Sequence, residues 1–220
     1  AKVRTRVFLQ HARHTNAFWN LIGIHFWGCA GHAMIVVFLV AIAQERGLSP
    51  YMAAGVLSAV LGVSSFTRFA VPIVADRLGS KGAMAICFFL QGVPIVLLFG
   101  AHDAWQFYLF AVLFGIGYGG ESSAFPIINR QYYGNAPTGT VYGWQMLGAG
   151  IGMAAGAFLG GFMRELTGSY TSTLILSFAL SIAGAISILV LPTTSCRLCT
   201  NWEESLPLEA RSSAPVAARN

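Results

Sequence analysis

Four acidic or basic side chains lie inside apolar stretches of this chain: Arg68, Glu121, His25 and His32. A charged group in hydrocarbon is costly, so each must face protein, water or a partner. Arg68 offers a planar guanidinium fork that matches a carboxylate. Its competing role is to reach the headgroups with its long side chain. Glu121 is the one carboxylate within an apolar run. Burial would raise its pKa and a nearby arginine would lower it, which suits a group that picks up and releases a proton. The alternative is a fixed structural ion pair. His25 and His32 stand seven apart, on one helix face. Either could relay a proton or bond to a substrate, or simply bond to a neighbouring helix.

The elements that must position these groups are membrane-spanning helices. The chain has 220 residues, of which 55% are hydrophobic and 10% charged, with mean hydropathy +0.65. Soluble domains carry about 25% charged residues. Its 25 glycines suit close helix packing in a bilayer. A hydrocarbon core of roughly 30 Å takes about 20 apolar residues per helix. Six stretches qualify: 17–43, 51–74, 83–100, 105–128, 140–163 and 171–191. Residues 1–16 read as the end of a cytoplasmic loop, and 192–220 as a disordered cytoplasmic tail. The net charge of +5 is scattered over loops and ends. No basic face of the kind that binds nucleic acid is seen.

Lys2, Arg4, Arg6, Arg13, Arg77, Lys81, Arg130, Arg197, Arg211 and Arg219 fall on one side of the six spans, and Arg46 and Arg164 on the other. That bias predicts both termini cytoplasmic; the expected location is a plasma (inner) membrane. Alternate spans then run in opposite directions. Arg68 falls about six residues, roughly 9 Å, to the cytoplasmic side of its span's middle. Glu121 and His25 fall about five residues to the same side, so the three share one depth, while His32 lies near the midplane.

A weak internal repeat relates Gly23–Gly28 to Gly115–Gly120, and Gly47-Leu-Ser-Pro50 to Gly134-Asn-Ala-Pro137. Spans one to three then repeat as four to six, with inverted topology. Gly148, Gly152, Gly156 and Gly160 recur every four residues, a small-residue stripe for helix packing. Gln145 and Trp144, at the inner end of the same span, are placed to meet a substrate, although interfacial anchoring is the default for tryptophan.

Other chemistries fail their context. Gly115–Gly120 lies in an apolar helix with no preceding strand, so it is no dinucleotide loop. Cys196-x-x-Cys199 has no second ligand pair, and zinc is not expected there; palmitoylation beside the membrane or an unmodified tail are the readings left. No cofactor or metal is called for, and no nucleophile or paired carboxylates suggest an enzyme.

Asp76-Arg77-Leu78-Gly79-Ser80-Lys81, between the second and third spans, resembles the cytoplasmic signature loop of the major facilitator superfamily. The resemblance implies a gating loop in which Asp76, Arg77, Gly79 and Lys81 hold helix ends in one conformation. It also implies an all-α membrane fold of six helices as two inverted three-helix repeats, half of a twelve-helix transporter. Thr67-Arg68-Phe69, Gly115–Ser123 and Gly160-Gly161-Phe162 with Gly168-Ser169-Tyr170 resemble the monocarboxylate transporter and oxalate/formate antiporter group. There the corresponding arginine binds the substrate carboxylate, a role the resemblance assigns to Arg68. Oxalate carriers of the group use a lysine in the fifth helix of this half, and 140–163 has none.

The expectation is therefore alternating-access transport of a small organic anion, a monocarboxylate, with proton symport. Arg68, His25 and Gln145 are the substrate-binding candidates, and Glu121 and His32 the proton-coupling ones. The expected partners are the anion, a proton, the bilayer and an N-terminal six-helix half preceding Ala1. The alternatives are an efflux carrier for drug-like compounds or a non-transporting half-length scaffold.

Overall fold

A computed structural model describes residues 2–194 and 197–211. Eight α-helices account for nearly all of it: α1 (Lys2–Arg13), α2 (Asn16–Glu45), α3 (Pro50–Leu78), α4 (Ser80–Gly92), α5 (Ile95–Phe99), α6 (Ala104–Tyr133), α7 (Gly139–Thr167) and α8 (Thr171–Leu189). Among the described residues there is no strand. The fold is the all-helical membrane bundle the sequence implies.

Side-chain caps set several helix ends. Thr15 accepts from the Phe18 N–H at 3.3 Å ahead of α2. Ser49 precedes Pro50, whose missing donor is harmless at a first helical position. Asp103 and Gln106 form a reciprocal capping box at the start of α6.

Five elements are long and apolar enough to cross a membrane: α2, α3, α4 and α5 taken together, α7 and α8. The remaining expected span, 105–128, lies within α6, which has 30 residues but is less apolar. Glycines, Glu121 and Ser122-Ser123 dilute its hydropathy. The third span is two pieces. The helix breaks after Gly92, where Pro94 has no N–H to continue the ladder.

Departures from the sequence reading gather at the α1 end. The expected connection 75–82 shrinks to Gly79 alone, at φ +80°, because α3 runs on to Leu78 and α4 starts at Ser80. Residues 2–13, read as loop, form α1, whose buried side is Phe8 and Ala12. The tail read as disordered is ordered over 197–211. Trp202 packs edge-on against Phe8 with centroids 5.3 Å apart. Arg4 stacks over the Trp202 ring at 5.1 Å, pairs with Glu203 and donates to the Ala210 carbonyl at 3.1 Å. Residues 195, 196 and 212–220 lie outside the described residues, and with them Cys196 and Arg219. Cys199 is half-buried, and burial pushes its thiol above the usual range, which makes it a weak nucleophile.

The packing obeys an exchange rule. The pairs that touch most are α2 with α7, α3 with α6, α2 with α8, and α4 with α6. Swapping the first three spans for the last three maps α2–α7 onto α6–α3, and α2–α8 onto α6–α4. The α4–α8 pair maps onto itself. That is the pattern two structurally equivalent triplets produce, and it supports the inverted-repeat architecture.

Close approach in the crossed pairs depends on glycine. A Cβ on Gly152 or Gly156 of α7 would strike the carbonyl oxygen of Phe26 or Ala30 on α2. On Gly148 it would stand 2.9 Å from Ile22 Cγ2, and on Gly160 2.7 Å from the Phe38 ring. On α6, Gly115 lies against the Val60 carbonyl of α3, and Gly119 against that of Ser64.

The core has two apolar clusters, at opposite ends of the bundle. One gathers Phe8, Phe18, Ile24, Phe88, Phe125 and Tyr132. The other gathers Ile35, Leu39, Val60, Ile95, Phe107 and Phe114. Between them, along α2, α4 and α6, lie the buried polar residues His25, His32, Gln91 and Glu121.

Candidate functional site

The layer between the two clusters is where chemistry is possible. Glu121 reaches it from the middle of α6, one turn beyond Gly117, at which a Cβ would stand 2.7 Å from the Gln91 nitrogen of α4. Helix α4 thereby comes close enough for Gln91 Nε2 to donate to Glu121 Oε2 at 2.5 Å and to the Gly117 carbonyl at 3.2 Å. From α2, His32 Nδ1 lies 3.2 Å from the same carboxylate oxygen. The His32 ring meets Tyr118 edge-on, with centroids 4.8 Å apart. Glu121, His32 and Gln91 are all buried.

His25 sits seven residues earlier on α2 and stacks flat on Phe125, with centroids 3.6 Å apart and planes 7° from parallel. Its Nδ1 and Glu121 Oε1 have no hydrogen-bond partner among the described residues. A ring nitrogen of His25, Cys29 Sγ and a carboxylate oxygen of Glu121 lie within 4.8 Å of one another. This is the nearest thing to a metal-ligand set among the described residues.

Arg68 comes to the same place from α3. The α3–α6 contact is fixed by Ser123 Oγ, which donates to the Arg68 carbonyl at 2.9 Å, and by Thr67 Oγ1, which donates to the Gly115 carbonyl at 3.4 Å. The guanidinium makes no ion pair among the described residues and is exposed on this half of the bundle. A cavity of about 230 Å³ has Arg68, His25, His32, Tyr118 and Glu121 in its wall, and is closed on the α7 side by Met146, Ala149 and Met153. Sequence depth places Arg68, Glu121 and His25 together, and the structure puts all three, with His32, on one cavity.

Other sequence candidates fall elsewhere. Gln145 is fully buried and its amide is spent on Asn129, in a reciprocal pair of hydrogen bonds at 2.8 and 2.9 Å. It is a fastener between α6 and α7, not a wall of the cavity. Asp76 and Arg77 stand at the α3–α4 hinge, where Asp76 and Arg77 are followed directly by Leu78 and Gly79. Lys81 donates to carbonyls at and just beyond the end of α8, those of Leu189 at 3.0 Å and Leu191 at 2.6 Å. A cation there satisfies carbonyls that lack helical partners. The glycine stripe lies on the α2–α7 seam.

A profile of the Major Facilitator Superfamily matches residues 8–204. The chain belongs to the major facilitator superfamily. Within it, the chain resembles the monocarboxylate transporters. It is 27% identical over 190 residues to human monocarboxylate transporter 2, covering 83% of this chain and 39% of that protein. With rat monocarboxylate transporter 13 it is 29% identical over 188 residues, covering 82% and 43% respectively. The chain thus spans about two fifths of the length of these relatives. As a superfamily member with long apolar helices, it is a multi-pass membrane protein.

Two residues of this major facilitator site carry no signal in the sequence. Gln91 is neutral and sits in an apolar run, so nothing marks it as the donor to Glu121. Gly28 provides the room: a Cβ there would lie 2.7 Å from Glu121 Oε1 and 2.5 Å from the Phe88 ring. A Gln91→Leu variant removes the donor and leaves a carboxylate buried with one partner fewer. Lost hydrogen bonds to charged groups cost about 1.5–3 kcal/mol. The thermal midpoint in detergent should fall by several degrees, whereas Gln91→Glu should be worse still, since it sets two carboxylates together.

Proposed function

We propose that the protein moves small organic anions, monocarboxylates first among them, across a membrane by alternating access and in symport with a proton. The observation that carries this reading is Arg68, a guanidinium without a counter-ion among the described residues, on the wall of a cavity that also holds a carboxylate–histidine pair. An unpaired cation on the wall of a cavity within the membrane recruits an anion, and the guanidinium fork selects a carboxylate. Glu121 and His32 form the proton-carrying pair, and His25 lies beside them as a second polar wall for the substrate.

Kinship with monocarboxylate transporters supports the substrate class, and the distribution of lysine and arginine supports cytoplasmic termini. The cavity is open on the side where Arg68 is exposed, which suits completion by a second six-helix half. The gating role of Asp76, Arg77, Gly79 and Lys81 belongs to the same proposal. Lys81 holds the end of α8 in this conformation and would release it in the other.

The test is uptake of labelled monocarboxylates into liposomes carrying the complete protein, with and without an inward acid gradient. The gradient should accelerate uptake several-fold. A Glu121→Gln variant should keep anion exchange and lose that acceleration, because a neutral amide carries no proton. Absence of uptake of every acid by folded protein would return the reading to efflux of another solute class or to a scaffold.

A further inference from the structure

A second site lies at the α1 end of the bundle, outside the cavity. A groove of about 490 Å³ opens between the start of α2 and the end of α8, lined by Asn16, Trp19, Asn20, Ser187, Val190 and Pro192. Asn20 Nδ2 donates to the Ser187 carbonyl at 3.2 Å and ties the two helices together.

Two basic residues are tied to the surround of the groove by hydrogen bonds. On one side the Trp19 indole N–H donates to the Arg13 carbonyl at 3.0 Å, which holds the last residue of α1 beside the groove. The Arg13 side chain is exposed and has no ion pair or hydrogen bond among the described residues. Lys2 and Arg6 share its helix face, since spacings of four and seven residues return to one side. On the other side, Lys81 Nζ bonds to the carbonyls of Leu189 and Leu191, which bracket Val190. An ammonium has three donors, so one is left over.

Its apolar side is open: Val190 and Trp19 in the groove are 74% and 55% exposed, and the neighbouring α8 residues Ile186 and Leu189 are 55% and 58% exposed. Such residues on a membrane-spanning helix face hydrocarbon, and a tryptophan at the end of a span sits at headgroup level.

We propose that this groove binds an anionic phospholipid of the leaflet on the α1 side. The phosphodiester lies between Arg13 and Lys81, the Asn16 and Asn20 amides meet the glycerol esters, and one acyl chain follows Ile186 and Leu189. Charge complementarity chooses an anionic headgroup, and the apolar wall chooses a lipid over a free anion. Basic pockets beside spans and basic segments next to the membrane recruit anionic lipids in this way. The inference is independent of which solute the protein carries.

The experiment is native mass spectrometry of the complete protein in mild detergent, offered dioleoyl phosphatidylglycerol and dioleoyl phosphatidylcholine in equal amounts. Phosphatidylglycerol should be the lipid retained. Arg13→Gln should weaken its retention about fivefold, from roughly 1 kcal/mol per basic side chain at an anionic surface. Trp19→Phe, which keeps the ring and loses the bond to the Arg13 carbonyl, should weaken it less. Both variants alter exposed side chains, and unchanged thermal midpoints would establish that they fold. Equal retention of the two lipids, wild-type retention by Arg13→Gln, or displacement of the lipid by excess inorganic phosphate would each overturn the proposal.

Discussion

Arg68→Leu is expected to abolish saturable uptake of monocarboxylates while leaving the protein folded and in the membrane. The two halves of that expectation have separate causes. The guanidinium has no ion pair to lose among the described residues, and its side chain is exposed on this half of the bundle. Removing it therefore leaves no buried partner unsatisfied, and a leucine is less costly in hydrocarbon than an arginine. Binding has no such substitute. A carboxylate entering the cavity would find Glu121 and no fixed cation, and charge-assisted bidentate pairing would be gone. Truncating one partner of a buried charge pair costs about 2–5 kcal/mol, or some 30- to several-thousand-fold in affinity. Arg68→Lys keeps the charge but not the fork and should retain a fraction of the activity at raised KM. Wild-type uptake by Arg68→Leu would remove Arg68 from the substrate site and, with it, the main support for an organic anion as cargo.

The second large effect is expected at Gly156. A leucine there has no space to occupy: the Cβ alone would strike the Ala30 carbonyl oxygen, and it would stand 2.9 Å from that residue's Cα and carbonyl carbon. These are backbone atoms of α2, so no rotamer change relieves the clash. Helices α2 and α7 would have to separate along their whole seam, including Gly148 and Gly152. Overpacking by flexible side chains costs about 1–3 kcal/mol, and a backbone clash exceeds that. The variant should lose its monodisperse profile on gel filtration, with Gly156→Ala intermediate. Phe158→Leu, two residues on and 70% exposed, should behave as wild type. A wild-type thermal midpoint for Gly156→Leu would mean that α2 and α7 do not approach this closely.

How much was legible in the sequence differed by residue. Span positions were readable because a bilayer demands an unbroken apolar run of about 20 residues, and a water-facing helix does not tolerate one. Glu121 and Arg68 were visible because charge is rare in such runs, and counting residues along helices of known direction was enough to give them a common depth. Gln145 shared the qualifying features of a cavity residue, but its partner Asn129 sits on another helix, and pairing between helices leaves no trace in spacing. Gln91 and Gly28 were silent for the same reason. Helix α1 escaped notice because Lys2, Arg4, Arg6 and Arg13 overwhelm a narrow apolar stripe. Its cover, Trp202, stands alone in a polar segment, so only the fold brings Phe8 and Trp202 together.

That clasp has a consequence for biosynthesis. Arg4 and Glu203 are 199 residues apart in the chain yet paired in the structure. At a synthesis rate of about 5–20 residues per second, α1 waits roughly 10–40 s after emerging before its partner exists. Through that interval Phe8 lacks its Trp202 cover and has only Tyr133 as an aromatic neighbour once α6 is made. Closure of the clasp therefore waits until every span between its two ends has been made.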